Sequence, residues 1–407
     1  MSNLKTLYQL PKKVFFCKKC VFSNQVPRSV PEFLHVRNRK GAKYINIDKN
    51  GVCDPCKVHE NKKTINWEER ENELLKILKK HRSNSNQYDC LVPGSGGKDS
   101  AMQAHLLKYK YGMNPLCITW PPILYTDYGR KNLENFINIG GFDNLTFQPN
   151  GRVMKILTKL SIENLLHPFQ TFILGQKNLA PKIASKFGIK LVFYGENDAE
   201  HNESVAESKK SLTRKFMYQN KNLKNLYLSG VKVKDLINKY KLTYKDLSTF
   251  LPSSPKDLLN DLEIRYLGYY LKWIPQEAYY YAAENTGFKA RPFRTQGTYS
   301  KYNSIDDKID DLHYYTTFIK FGVGRATYDA SQEIRNFHIT RKEAQALVEK
   351  FDGEFPDNYF KETMDFLEIK QQDFMSLCNK FRSPHLWVNI KGKWKLRHDV
   401  NKKGYND

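Results

Sequence analysis

The most constraining feature of this sequence is a glycine-rich loop at residues 92–101, VPGSGGKDSA. It lies between the apolar run YDCLV and the amphipathic run KDSAMQAHLLKYKYG, an order that predicts a strand, a turn and a helix. In such a turn the backbone N–H groups point at an anion, and the following helix adds the positive end of its dipole. The loop therefore predicts a phosphate site in an α/β fold.

The residues of the loop exclude two common nucleotide-binding motifs. The motif G-x-x-x-x-G-K-[ST] requires glycine at 92 and a hydroxyl side chain at 99, where this chain has Val92 and Asp99. The motif G-x-G-x-x-G fails because Gly94 and Gly96 are not followed by glycine at 99. Residues 95–100, SGGKDS, instead match the S-G-G-x-D-S signature of the PP-loop ATP pyrophosphatases. This resemblance implies that the loop holds the β,γ-pyrophosphate of ATP while the α–β bond breaks.

The segment after the loop alternates short apolar runs with helical patterns. PLCITW, NLTFQP and IKLVFYGEN are typical of strands, and TDYGRKNLENFINIGG, VMKILTKLSIENLL and NLAPKIASKFG of helices. We predict a doubly wound parallel sheet, of the PP-loop type, over residues 63–230. Ligands of such sheets bind beyond the carboxyl ends of the strands, so the loop, Trp120 and residues 195–197 are expected around one crevice. There the Glu196 carboxylate suits Mg²⁺ or a substrate hydrogen bond.

Four of the seven cysteines form two Cys-x-x-Cys pairs, Cys17 with Cys20 and Cys53 with Cys56. In a cytosolic chain such pairs indicate metal ligation rather than disulfides, and four thiolates suit a tetrahedral structural Zn²⁺. An iron–sulfur centre or a redox pair are the alternatives. We predict a zinc-knuckle module over residues 1–62. The other three cysteines lie in apolar patterns and are expected to be buried; they are Cys90, Cys117 and Cys378.

The remainder of the chain falls into two further regions. Residues 231–260 look like a linker or a helical insert, with the turn cluster PSSP at 252–255. Residues 261–407 are rich in tyrosine and helical periods, which predicts a mainly helical region that contacts substrate or a partner. Tyrosines at this density pack helices against each other, with stacking on RNA bases as the alternative. The acidic run at 306–307 is compatible with a solvated helix face.

The net charge, the lengths of the apolar runs and the first residues of the chain indicate which partners and which location to expect. The net charge of +23 favours anionic partners, but the lysines are scattered rather than aligned on one helix, so we do not expect nucleic acid. We expect no membrane span, since no apolar run approaches the ~20 residues that one requires. The first residues lack the apolar core of a signal peptide, so a cytoplasmic protein is expected.

Several longer segments resemble one family, the bacterial N-acetyl sugar amidotransferases of the PP-loop superfamily. The segments that carry the resemblance are GVCDPC, GSGGKDS, LYTDYGRKNLENF, HPFQTFILGQKNLAPKIA, VFYGEN, RTQGTYSKYNSIDDKIDDLHYYTTFIKFGVGRATYDASQEIRN and ITRKEAQALVEKFDGEFP. They occur in the family's order and cover nearly the whole chain. One departure is at 200–202, where EHN replaces an acidic residue followed by tyrosine and glycine.

The resemblance implies an ATP-dependent ligase that converts an acetamido group into an acetamidino group on sugars of lipopolysaccharide O-antigens or flagellar glycans. Its cofactors would be ATP, Mg²⁺ and structural Zn²⁺. The predicted ATP-binding residues are Ser95, Gly96, Gly97, Lys98, Asp99, Ser100 and Gly195, and the predicted catalytic residues are Lys98, Asp99 and Glu196. Asn197 is a candidate for substrate binding. Candidates for an anionic group on the sugar or its nucleotide are Lys301, Lys308, Lys320 and Arg325.

The ammonia for this reaction would come from outside the chain, because no Cys-His-Glu set of a glutaminase is present. We expect a glutaminase and a cyclase-like barrel as partner subunits, as the resemblance implies. The main alternative is a PP-loop enzyme that adenylates a carbonyl of a tRNA base. A further alternative is a zinc-knuckle nucleic-acid-binding protein with a degenerate ATP site, although the loop is intact here.

Overall fold

The computed structural model of the chain describes residues 4–28, 34–36, 41–83, 87–195, 209–213 and 215–401. In the N-terminal part, helix α1 (Asp54–Lys62) begins directly after Cys53, and helix α2 (Trp67–His81) follows it. The side chain of Asn66 caps α2 by accepting hydrogen bonds from two backbone N–H groups of its first turn. Both helices therefore start where the sequence provides a cap or a proline.

The centre of the structure is a parallel sheet with the strand order β3-β2-β1-β4-β7. Its first four strands are β1 (Cys90–Pro93), β2 (Pro115–Thr119), β3 (Asp143–Thr146) and β4 (Leu191–Tyr194). A small hairpin of β5 (Tyr227–Leu228) and β6 (Val231–Lys232) precedes the fifth, β7 (Glu263–Tyr266). Strand order reverses between β1 and β4, which places the ligand crevice at their carboxyl ends.

Helices cover both faces of this sheet, which confirms the predicted doubly wound fold class. They are α3 (Lys98–His105), α4 (Asp127–Asn138), α5 (Gly151–Leu165), α6 (Gln170–Lys186), α7 (Val233–Tyr240), α8 (Tyr244–Ser248) and α9 (Pro275–Thr286). Successive residues of β1 alternate between the two faces: Leu91 joins the core with α5 and α6, whereas Cys90 and Val92 join the core with α3 and α9. Both faces are apolar, as buried parallel strands require.

The sheet domain extends beyond residue 230, which is the boundary predicted from the sequence. Leu236, Leu247 and Phe250 lie in the same hydrophobic core as Ile264 of β7. Residues 231–260, for which the sequence left a linker or a helical insert open, contain α7 and α8 and pack against one face of the sheet.

The C-terminal region is mainly helical, as predicted. It contains α10 (Asp310–Phe321), α11 (Arg325–Arg335), α12 (Arg341–Phe351), α13 (Asp357–Leu367), α14 (Gln371–Phe381) and a hairpin of β8 (Trp387–Ile390) and β9 (Lys393–Leu396). Cys378 is buried in the core that these helices share with the end of α5, as expected for a cysteine in an apolar helical pattern.

A short segment at residues 305–308 attaches this helical region to the sheet. The Asp307 carboxylate accepts hydrogen bonds from the backbone N–H groups of Ile123, at 2.6 Å, and Leu124, at 3.2 Å. The N–H of Lys308 donates to the carbonyl of Leu124 at 2.8 Å. The segment therefore pairs with the loop that leaves the carboxyl end of β2, and Asp307 is buried rather than on a solvated helix face.

None of the helices within the described ranges combines the length and the apolar character that crossing a bilayer requires.

We predict that Asp307→Ala lowers the free energy of unfolding by about 2–4 kcal/mol, because buried backbone donors lose their acceptor. Denaturant unfolding of the whole chain measures this change. The control is Asp365→Ala, whose side chain is 67% exposed and which should change stability by less than about 0.5 kcal/mol. Equal effects of the two substitutions would contradict the anchoring role of Asp307.

Candidate active site

The predicted phosphate loop connects β1 to α3 in a tight turn. Gly96 adopts φ +83°, a conformation that side chains other than glycine rarely tolerate. A Cβ atom there would lie 2.7 Å from the backbone of Asn132 in α4. Gly97 is the N-cap of α3, and Ser100 Oγ donates to its carbonyl at 3.0 Å. The loop thus presents the N-terminus of α3 to the crevice, held in place by α4.

Beside the loop lies a cavity of about 220 Å³, here called the phosphate-loop cavity. One wall is the loop itself, with Ser95, Gly96, Gly97, Lys98 and Asp99. The opposite wall comes from the C-terminal region and includes Tyr302, Asn303, Ser304, Asp306, Arg325 and Gln332. The cavity is therefore formed only when the sheet and the helical region are packed together.

Asp306 connects the two walls directly, and the sequence pattern did not single it out as a site residue. Ser95 Oγ of the loop donates a hydrogen bond to Asp306 Oδ2 at 3.0 Å. Burial raises the pKa of Asp306, although the Ser95 hydrogen bond opposes the shift. A carboxylate beside a phosphate loop, in surroundings that penalise its charge, suits a divalent cation. The sequence did not reveal this burial, because the aspartates of SIDDKIDD are equally compatible with a solvated helix face.

The predicted catalytic pair Lys98 and Asp99 lies at the start of α3. The Lys98 side chain is only 7% exposed, and its Nζ donates to Asp99 Oδ2 at 2.5 Å. Trp273 Nε1 donates to the other oxygen, Asp99 Oδ1, at 3.3 Å. Asp99 is therefore held from both sides, which favours an ordering role for it and leaves the buried Lys98 charge facing the cavity.

The tip of β4 is the third predicted part of the site. A Cβ atom on Gly195 would lie 3.0 Å from Gln103 Oε1 and 3.1 Å from the ring of Trp273, so the backbone approaches its neighbours closely there. Glu196 and Asn197, the predicted carboxylate and substrate ligand, lie outside the described residues, as does the divergent stretch at 200–202.

Of the four basic side chains predicted to bind an anionic group, Arg325 is the one that lines the phosphate-loop cavity. Its Nε donates to Asp329 Oδ1 at 2.8 Å. Lys308 forms an ion pair with Glu362 at 2.7 Å. The two remaining candidates are Lys301, which is exposed, and Lys320, whose Nζ donates to the Leu165 carbonyl at 2.8 Å. The structure thus brings Arg325 to the loop and places the three lysines elsewhere.

The four predicted metal ligands converge in the N-terminal module. The sulfurs of Cys17, Cys20, Cys53 and Cys56 all lie within 4.8 Å of one another, and all four residues are buried. The Cys20 and Cys53 sulfurs are 3.6 Å apart and those of Cys17 and Cys56 4.0 Å apart. A tetrahedral site with Zn–S bonds of about 2.3 Å places its sulfurs roughly 3.8 Å apart. The residues therefore fit a four-thiolate metal site.

The cysteine module packs against α11, which lines the cavity, and against the neighbouring α12. Arg341 at the start of α12 donates to the carbonyl of Cys20 at 3.1 Å and to that of Cys17 at 3.2 Å. Phe22, between the two cysteine pairs, lies edge-on to Tyr328 of α11, with ring centroids 5.2 Å apart. The module thus supports α11, the helix that begins with Arg325.

We predict that Gly96→Ala destabilises the fold by at least about 1–2 kcal/mol, because an L side chain at this φ is strained. Gly97→Ala is the matched control: its φ is −69° and the nearest atom to a new Cβ is 3.9 Å away. Thermal unfolding of both variants without ligand measures the difference. An equal Tm for the two variants would contradict the described loop conformation.

Known proteins resemble parts of this chain. Residues 296–401 match the family described as LPS biosynthesis protein WbpG-like, C-terminal domain. The uncharacterized protein MJ1599 of Methanocaldococcus jannaschii is 32% identical over 105 residues, which cover 26% of this chain. The chain spans only 36% of the length of that curated relative.

Two solved structures are similar at low TM-scores. NMN synthetase from Francisella tularensis gives 0.29 at 11% identity, covering 70% of this chain and 96% of its own. The U34-tRNA thiolase NcsA from Methanococcus maripaludis, with its [4Fe-4S] cluster, gives 0.28 at 12% identity, covering 76% and 87%. Likenesses this slight bear on neither fold nor activity. Residues 296–401 are thus similar to the C-terminal domain of the WbpG-like lipopolysaccharide biosynthesis proteins.

Proposed function

We propose that this protein is an ATP-dependent, AMP-forming amidotransferase that converts the acetamido group of an N-acetyl sugar into an acetamidino group. The observation that carries the proposal is the composition of the phosphate-loop cavity. One wall is an SGGKDS loop, and the other comes from residues 302–332, within the WbpG-like region. ATP and a sugar precursor of lipopolysaccharide would therefore meet in one cavity.

The chemistry follows from the weakness of an amide carbonyl as an electrophile. Attack of the acetamido oxygen on the α-phosphorus of ATP forms a new P–O bond and expels pyrophosphate, and loss of the amide N–H proton leaves an O-adenylyl imidate. Ammonia then adds to the imidate carbon, AMP departs with the former amide oxygen, and loss of a proton leaves the amidine. Such a reaction depends on positioning and on stabilising the phosphate charges.

The residues of the cavity suit these tasks. The backbone N–H groups at the start of α3 face the cavity, where they would bind the departing pyrophosphate. Lys98 is a buried positive charge beside them, and Asp99 orders it through the 2.5 Å hydrogen bond. Asp306 is the carboxylate best placed for Mg²⁺, which would neutralise phosphate charge. Glu196 stays a candidate for the same cation, and Asn197 for substrate.

The proposal includes two further elements that derive from the sequence. The four-cysteine site would hold a structural Zn²⁺. Ammonia would come from a glutaminase working through a cyclase-like barrel. Because ATP and activated sugars are used in the cytoplasm, we place the reaction there.

We predict that the wild type forms AMP and pyrophosphate from ATP, Mg²⁺ and ammonium only when a suitable N-acetyl sugar is present. Lys98→Ala and Asp306→Asn should each lower kcat/KM by about 100-fold or more, since each removes a charge that acts on the phosphates. Product release is followed by chromatography, and mass spectrometry of the sugar should show oxygen replaced by NH. The matched controls are Lys361→Ala and Asp365→Asn, an exposed pair on α13 that should leave the rate unchanged.

Two results would contradict this function. Full activity of Lys98→Ala would place the ATP site elsewhere. AMP formation stimulated by bulk tRNA, with no response to any acetamido sugar, would instead favour the tRNA-modifying alternative.

We also predict one zinc ion per chain in protein purified without chelator, measured by elemental analysis and native mass spectrometry. Cys53→Ser should lose the metal and lower the Tm, because the module folds around the four thiolates and metal binding contributes to its folding free energy. Cys378→Ser is the control, as this cysteine is buried away from the cluster and its substitution should leave the zinc content unchanged. Visible absorption from bound iron and sulfide would contradict the zinc assignment and show that the four cysteines hold an iron–sulfur centre.

A further inference from the structure

A second cavity of about 220 Å³ opens beside the phosphate-loop cavity, between α10, α11 and the cysteine module. Arg325 and Gln332 line both cavities, so the two adjoin. Each alone is smaller than the roughly 300–1,000 Å³ of most ligand sites, whereas the two together reach that range. The second cavity therefore has room for the part of a substrate that extends away from the phosphates of ATP.

Arg335, the last residue of α11, lines this second cavity with a buried guanidinium group. The residue is 8% exposed, and its Nη1 is buried without a hydrogen-bond partner among the described residues. Its guanidinium carbon lies 5.5 Å from the ring centroid of Phe22, which lines the same cavity. No carboxylate of the described ranges is within ion-pair distance of it. A buried guanidinium without a counter-charge is costly, and such groups are normally paired.

The other charges of the cavity do not compensate Arg335. Its lining contains one carboxylate, Asp329. That carboxylate is already bound to Arg325 Nε at 2.8 Å, and it accepts a hydrogen bond from Thr298 Oγ1 at 2.6 Å. One positive charge therefore remains uncompensated, and it is located on Arg335.

We propose that the second cavity binds the body of the acceptor sugar and that Arg335 holds an anionic group of that sugar, a carboxylate or a phosphate. The planar guanidinium can bind either group through two parallel hydrogen bonds. Tyr314 and Tyr328 flank the space that the sugar ring would occupy. The acetamido group would then extend past Arg325 and Gln332 towards the phosphate loop. This inference rests on the proposed function and narrows its substrate to a charged sugar.

Arg382 provides a matched comparison for Arg335. It is also 8% exposed and also has a buried nitrogen, Nε, without a partner. In contrast to Arg335, its Nη1 donates to Asn379 at 2.6 Å, and it lines neither cavity. Substituting the two arginines in the same way separates the loss of a binding group from the loss of a buried arginine.

The test is calorimetric binding to the full chain, without turnover, of three probes. N-acetylneuraminic acid carries a carboxylate, UDP-N-acetylglucosamine a diphosphate, and N-acetylglucosamine no charge. Arg335→Gln should weaken the binding of a charged probe by about 10- to 100-fold, and Arg335→Lys by less. Arg382→Gln should leave it unchanged. The charged probe whose affinity falls in Arg335→Gln identifies the anionic group. The affinities of Arg335→Gln for the neutral probe and for ATP should stay within about twofold of the wild-type values.

Stability gives a second readout. Without ligand, Arg335→Gln should have a Tm equal to or above that of the wild type, since a buried unpaired charge is removed. A lower Tm would make Arg335 a structural residue and overturn the inference. So would wild-type affinity of Arg335→Gln for both charged probes, or failure of both charged probes to bind the wild type. Because these are binding and stability measurements, they remain informative if the proposed reaction itself is not found.

Discussion

The structure depends on the attachment of residues 305–308 to the loop that follows β2. Asp307 accepts hydrogen bonds from the N–H groups of Ile123 and Leu124, and also from that of Ile309 at 3.0 Å. Burial raises the pKa of Asp307 to about 7, and the three donors oppose that shift by favouring the charged form. This contact holds the helical region over the carboxyl edge of the sheet. It also places Asp306 and its neighbours opposite the phosphate loop, where they form the second wall of the cavity.

The same contact explains why the site contains residues from distant parts of the sequence. Once residue 307 is fixed, its neighbour Asp306 reaches Ser95, and the helices that follow bring Arg325 and Gln332 to the cavity. The cysteine module then closes the outer side, because Phe22 packs on Tyr328. A metal in that module would act on the site through α11, by fixing the helix that carries Arg325 and Arg335.

Much of the fold could be predicted from the sequence, and the errors have physical causes. The parallel sheet followed from apolar runs alternating with helical patterns. The edge strand β7 was missed because Ile264 is its main buried apolar residue, while Glu263 and Arg265 pair with each other at 2.6 Å. An edge strand with one charged face lacks the apolar run of a central strand.

The site was predictable where it depends on local chain geometry, and less so where it depends on contacts between regions. The loop and the four cysteines are short-range patterns, and the structure brings each set together. The roles that we propose for Asp306 and Arg335 were not predicted, because they depend on burial, which a single sequence does not reveal. Among the predicted cations, Lys308 and Lys320 bind a carboxylate and a carbonyl instead, since long flexible side chains find partners at the surface.

The measurement that tests the central claim most directly follows the acetamido oxygen itself. An acceptor sugar labelled with oxygen-18 in the acetamido carbonyl is incubated with the protein, ATP, Mg²⁺ and ammonium, and the AMP is analysed by mass spectrometry. If the cavity activates the acetamido group by adenylation, each amidine formed should yield one AMP that carries the label. AMP without the label, or amidine formed without AMP, would contradict the account.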